Sequence, residues 1–205
     1  MLRGLALPAL ATLGLVSACG GSPETGGPEA APVTSTPFEG RSAPTRTPSG
    51  VSTSAWSSAE LAAVEAAKAR YLAARAAVNE AVKRPGDVSA SALALAGNGG
   101  TWLPRVEAML AFSVKNGWYE TGDARISMLA VRSVKLDLAQ PEVRLTSCID
   151  SSAVVSRYRS NSKPIPVVSD NGDRHRFESR LIYTKSAETG RRMWILVDEQ
   201  TTKTC

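Results

Sequence analysis

A chain of 205 residues with 24 Lys and Arg against 19 Asp and Glu carries a formal charge of +5, modest for its length. One histidine and three cysteines are too few, and too far apart, for a zinc ribbon or another metal cluster. No nucleophile elbow, glycine-rich phosphate loop or metal-ligand spacing occurs, so neither a cofactor nor a metal is expected, and no motif-bearing enzyme class is indicated.

The chain opens with Met1-Leu2-Arg3, continues through an apolar run from Leu5 to Val16, and reaches the small residues Val16-Ser17-Ala18. A bilayer-spanning helix needs roughly 20 apolar residues. This run is shorter and is broken by Pro8 and Gly14, which fits a processed signal over residues 1–18. Leu15-Val16-Ser17-Ala18-Cys19, followed by Gly20-Gly21-Ser22, resembles the lipobox of bacterial lipoproteins. The resemblance implies that Cys19 becomes the lipidated N-terminus, with palmitate-type acyl chains holding the protein on the outer face of the cell membrane. One acyl chain binds a bilayer marginally and two anchor it stably. The alternative is an ordinary secretory signal in which Cys19 is incidental. Either way the domain is exported, which argues against nucleic acid as a partner.

From residue 19 to 55 the composition shifts. Pro23, Pro28, Pro32, Pro37, Pro44 and Pro48 alternate with Gly, Ser and Thr, and Phe38 and Val51 are nearly the only larger apolar side chains. Such a stretch cannot bury enough surface to offset its ordering entropy and reads as a disordered tether. It would reach about 30 Å as a coil and about 110 Å fully extended. Its Thr and Ser beside Pro are compatible with O-glycosylation.

The folded domain is expected over residues 56–205. Ser57-Ser58-Ala59-Glu60 fits a capping box, with Trp56 placed to staple onto Leu61. Leu61, Val64, Tyr71, Leu72, Val78 and Val82 recur at mostly helical spacing until Pro85-Gly86. Two shorter helices are expected, Val88 to Ala96 closed by Gly97-Asn98-Gly99-Gly100, and Trp102 to Lys115 closed by Asn116-Gly117. In the second, Thr101 is the expected cap and Trp102, Val106, Met109, Leu110 and Ser113 share a face.

Beyond Gly117 the pattern alternates with period two. Strands are expected at Ile126–Leu138, Val143–Asp150, Val154–Arg159, Arg174–Lys185 and Arg192–Thr202, with turns at Ser169–Asp173 and Ala187–Gly190. Helices first and antiparallel strands after make an α+β domain, a curved sheet wrapped on the long helix. With Cys19 taken by lipid, Cys148 and Cys205 are left to pair, and outside the cytoplasm such a pair persists as a disulfide. The bridge would tie residue 205 to a strand in the middle of the sheet and restrict the unfolded chain by about 4 kcal/mol. A metal site or catalytic thiol is the weaker alternative.

Gly117-Trp118-Tyr119-Glu120-Thr121-Gly122, the segment Pro141 to Ser152, and Trp194 to Thr202 running on to Cys205 carry a further resemblance. In this element order they are similar to the nuclear-transport-factor-two-like, or cystatin-like, cone, and to small lipoproteins of that superfamily from high-GC Gram-positive bacteria. That superfamily holds isomerases, dehydratases, hydrolases and many non-catalytic modules. Its enzymes place Asp, His, Tyr or Arg inside the cone, where burial tunes them for proton transfer. Tyr119, Asp123, Asp150, Arg132, His175 and Asp198 are available for that role, with Tyr119, Asp150 and Asp198 the candidate cavity groups. His175 sits between two arginines beside a polar turn and reads as solvated. Asp150 reads better as a turn cap, and Asp198 equally well as a cross-strand partner of an arginine.

Residues 1–55 hold Arg3, Arg41 and Arg46 against Glu24, Glu29 and Glu39, so the net charge resides in residues 56–205. Arg174, Arg176 and Arg180 alternate along one strand with Glu178 among them, and Arg191-Arg192 opens the next. Such a basic face could attract anionic lipid headgroups or wall polymers; a solvated face bridged through Glu178 is the plain alternative. The expected function is a non-catalytic binding or assembly module acting on another envelope component, either a membrane protein or an anionic polymer. The rival is a carrier or enzyme with an open apolar cavity, which a core filled by Trp118, Phe177 and Trp194 would exclude. A structural wall spacer is the third reading.

Overall fold

A computed structural model describes residues 56–166 and 173–205. The signal segment, Cys19, the tether and most of the Ser169–Asp173 turn lie outside the described residues.

Helix α1 spans Ser58–Lys83. Its start is the capping box expected from sequence: the Glu60 amide donates to Ser57 Oγ at 3.2 Å, and the Ser57 amide donates to Glu60 Oε2 at 2.8 Å. The buried stripe is Val64, Ala67, Tyr71, Ala74, Val78 and Ala81, a strict three-four alternation. Leu61 and Leu72, expected on that stripe, are instead 50% and 46% exposed. Three of the six inward positions are alanine, so the helix backbone can approach its partner surface closely. Helix α2 is Ala90–Ala96, capped by the Ser89 hydroxyl and closed by Gly97 in the left-handed conformation at φ 107°. Helix α3 is Trp102–Asn116, closed by Gly117. Thr101 does not cap α3; its hydroxyl donates to the Val197 carbonyl at 3.1 Å and ties the helix start to the sheet. Val106 and Leu110 are buried, whereas Met109 is exposed.

The strands are β1 Trp118–Thr121, β2 Arg125–Lys135, β3 Glu142–Asp150, β4 Val155–Tyr158, β5 Arg174–Lys185 and β6 Arg192–Thr204. The short β1, expected to lead into the first strand, is itself a strand and pairs antiparallel with β4 in a separate two-stranded sheet. The other four form an antiparallel meander in the order β2-β3-β5-β6. The result is an α+β, cone-like domain in which helices pack on antiparallel sheet, as the sequence pattern predicts.

The main core lies between α1 and this sheet, built from Ala67, Tyr71, Ala74, Val143, Leu145, Leu181, Trp194 and Leu196. A second cluster under α2 and α3 joins Val78, Ala81, Leu93, Val106 and Leu110. The two sheet edges are treated differently. The β6 edge is covered near Leu196, whose amide donates to Gly97 O at 2.8 Å while its carbonyl accepts from the Gly99 amide at 2.9 Å. Among the described residues β2 pairs only with β3, and its register shifts at two places, between Ile126 and Met128 and between Val131 and Ser133.

A disulfide joins Cys148 to Cys205 across a Cα–Cα distance of 6.1 Å and a sequence separation of 57. Cys148 is buried in β3, an interior strand, so the bridge pins residue 205 where expected.

Candidate functional site

Parity along the strands decides which side chains enter the cone. On β3 and β5 the inward set is Val143, Leu145 and Ser147 with Leu181, Ser179 and Phe177, paired in register. On β6, Leu196 pairs with Leu181, but the register then shifts, and Asp198 pairs with Arg180 and Glu199 with Ser179. Val197 is thus an extra residue, a β-bulge that reverses the alternation. Without it Asp198 would face the interior; with it Glu199 does.

Glu199 is consequently the charged group inside the cone, and its side chain has no exposed surface. Its carboxylate accepts from Arg75 Nη1 at 2.7 Å and from Ser179 Oγ at 3.0 Å. The Arg75 guanidinium lies 5.5 Å from the Phe177 ring centre and 5.8 Å from that of Trp102. Beside them the Tyr71 and Ser147 hydroxyls are hydrogen-bonded at 2.7 Å. Burial pushes the Tyr71 hydroxyl well above the ordinary tyrosine range, and the Glu199 charge adds to the effect. The folded state therefore holds this proton more tightly than the unfolded chain does. Tyr71 contributes stability below about pH 10 that is lost as pH rises further, and a Tyr71→Phe variant should show a shallower alkaline unfolding limb in a pH–stability profile.

The groups of this cluster are paired with one another. The Glu199 charge is matched by Arg75, the hydroxyls are hydrogen-bonded, and Trp194 packs over Tyr183 with ring centres 5.5 Å apart. Phe177 and Trp194 line the interior as anticipated. Trp118 does not; it meets Phe112 of α3 edge-on at 5.3 Å.

The three candidate cavity groups lie elsewhere and are not brought together. Tyr119 is on β1, opposite Arg157 of β4. Asp150 ends β3 and accepts from the Ser152 amide at 3.0 Å, with Arg174 at 3.9 Å. The Ser152 hydrogen bonds hold its carboxyl below the usual range. Asp198 faces outward, ion-paired with Arg105 and accepting from Gln200 at 3.0 Å. Of the others, Asp123 accepts from Asn79 and Lys83, which lowers its pKa, Arg132 pairs with Glu178, and His175 is half-buried opposite Ile149 and Thr204.

The arginines divide into two groups. Arg174, Arg176 and Arg180 share the outward face of β5, and two of them meet acids: Arg174 meets Asp150, and Arg180 shares the buried Glu142 with Arg144. Burial pushes the Glu142 carboxyl up, but hydrogen bonds from Arg180 and Arg144 outweigh it and leave the pKa lowered. Arg191 and Arg192 are not part of this face. Lys185 pairs with Arg192, which places them at the far end of the β5–β6 hairpin from Arg174, and Arg192 has the inward parity of Trp194. There they join Arg70 of α1 around a separate hollow.

Among the described residues no group of three or more His, Cys, Asp or Glu is placed to hold a metal ion, and no helix is long and apolar enough to cross a membrane. No protein-family model matches the chain, and no curated protein matches it. A solved structure, the crystal structure of the intermembrane space region of the chloroplast protein ARC6, is similar at 12% sequence identity and a TM-score of 0.46. The match covers 68% of this chain and 96% of that one.

Proposed function

We propose that this protein is a lipid-anchored, extracytoplasmic binding or assembly module of the cell envelope, akin to small lipoproteins with a nuclear-transport-factor-two-like cone. The observation that carries this reading is that the polar groups of the interior are paired with one another, including those of the hollow of about 340 Å³ between α1 and β2–β3, where Arg75, Asn79 and Asp123 are already engaged. A cone that works as a carrier or enzyme needs an open apolar cavity with a few convergent polar groups. Here Tyr71 pairs with Ser147, and Arg75 and Ser179 pair with Glu199, beside Phe177 and Trp194. Recognition is therefore assigned to the outer surface, with an envelope protein or an anionic polymer as partner. The Cys148–Cys205 bridge suits an oxidising compartment.

Anchoring is tested by fractionating cells that express Cys19→Ala. The variant should move from the membrane fraction to the soluble exported fraction. Retention on membranes after washing without detergent would remove the lipid anchor from the reading. Photo-crosslinkers placed on the outer sheet face of the lipidated protein in intact cells should then capture a macromolecule of the envelope. A small molecule copurifying with the chain would favour the carrier alternative.

A further inference from the structure

The hollow shared by Arg70, Arg191 and Arg192 has a volume of about 260 Å³ and is completed by Leu95, Thr189 and Met193. Three guanidinium-bearing side chains line it and no acidic one does. Elsewhere in the domain arginines meet acids, as in the pairs of Arg75, Arg105, Arg132, Arg144, Arg174 and Arg180. The acid of the β5–β6 turn, Glu188, is not among the hollow's lining residues and accepts from the Ser91 hydroxyl of α2 at 2.7 Å. Three like charges around one hollow raise the local positive potential and favour an anion there.

Two of the three arginine side chains are also held in place. Arg70 Nη1 lies 3.4 Å from both the Leu95 and Ala96 carbonyls at the end of α2. Its stem fills the space beside Gly97, where an added Cβ would fall 2.2 Å from Arg70 Cδ. Arg192 lies over the Tyr183 ring at 5.1 Å, and the backbone amide of Arg191 donates to Thr189 Oγ1 at 3.2 Å, which shapes the turn that carries its side chain. Such anchoring lowers the entropy lost on capture of a ligand. The cations come from α1, the hairpin turn and the start of β6, so they approach the hollow from different elements. Donors arriving from several directions suit the tetrahedral oxygens of phosphate better than a flat carboxylate, which a single arginine fork satisfies.

We propose that this hollow binds phosphate groups carried by an anionic polymer or a lipid headgroup. The site deepens the envelope-binding reading and rests on it only for the source of the phosphate.

The test uses the chain carrying Cys19→Ala, so that no acyl chain enters a vesicle, with and without Arg191→Glu/Arg192→Gln, which leaves Arg70 and its support of α2 in place. Binding is measured by titration at low and physiological salt with three probes: inorganic phosphate, soluble poly(glycerol phosphate), and vesicles of phosphatidylglycerol and phosphatidylcholine at a one-to-three ratio. The double variant should melt like the parent yet bind about tenfold more weakly, or worse, per arginine removed, and the parent's binding should weaken with salt. Loss on poly(glycerol phosphate) with vesicle binding unchanged identifies a polymer as the source; loss on the vesicles identifies a headgroup. The proposal is overturned if the parent binds none of the three, if the double variant binds as the parent does, or if Arg174→Gln/Arg176→Gln weakens binding equally. Each of these results leaves the Cys19 fractionation result standing, so failure of the site and failure of the anchored-module reading remain separate.

Discussion

Replacing Glu199 with Ala is expected to destabilise the domain by about 3–5 kcal/mol, the range for removing one partner of a buried ion pair. The variant leaves Arg75, whose side chain is only 17% exposed, without its counter-charge, and leaves the buried Ser179 hydroxyl without an acceptor. Both lie in the layer where α1 meets β5 and β6, so the α1 packing should loosen with them. Urea denaturation followed by far-ultraviolet circular dichroism measures the effect. Asp198→Ala supplies the internal comparison: it removes a neighbouring carboxylate of the same charge that faces solvent beside Arg105, and surface pairs contribute about 0–1 kcal/mol. Equal losses for the two variants would mean that the bulge at Val197 does not separate inside from outside.

Reduction of the Cys148–Cys205 bridge should have a comparable effect. Closing a loop with a sequence separation of 57 restricts the unfolded ensemble by about 4 kcal/mol in the chain-entropy account. For a domain of this size that corresponds to a melting temperature lower by roughly 10 °C. Cys205 is exposed and Cys148 is buried in β3, so a reductant should attack the Cys205 sulfur in the native state and leave a Cys148 thiol that reacts only when the sheet opens. Calorimetry with and without reductant, together with thiol titration of the folded protein, checks both points; two reactive thiols in the native exported protein would contradict the bridge.

The parts of the fold that could be read from sequence are those written in local residue chemistry. Ser57 and Glu60 specify the start of α1 by themselves, Gly97 and Gly117 mark helix ends through a backbone conformation other residues avoid, and Cys148 and Cys205 pair by elimination. The interior was not legible for equally concrete reasons. Hydrophobicity favours Leu61 and Leu72 as the inward residues of α1, whereas close approach of helix to sheet selects Ala67, Ala74 and Ala81, which a scan for large apolar side chains passes over. Tyr71 reads as one more apolar position until Ser147 appears opposite its hydroxyl. Glu199 was hidden by a single extra residue: alternation through Trp194 and Leu196 places Asp198 inside, and nothing local distinguishes Val197 as a bulge. The Arg191-Arg192 pair was visible, but its third member lies on α1, and only the packing of α1 against the hairpin brings Arg70 to it.

Among the described residues nothing pairs with the outer side of β2, and this bears on colloidal behaviour. Eleven residues of free backbone would ordinarily act as a template on which further copies add their own strands. Here the ribbon is interrupted at two bulges, so no long straight run is presented. Its charged residues, Arg125, Arg132 and Lys135, are all cationic, with Arg132 paired to Glu178 of β5. Two molecules meeting edge to edge would oppose like charges on mismatched backbones. Growth into fibrils through this edge is disfavoured, and at high protein density the chains stay dispersed as long as the ionic strength leaves that repulsion unscreened.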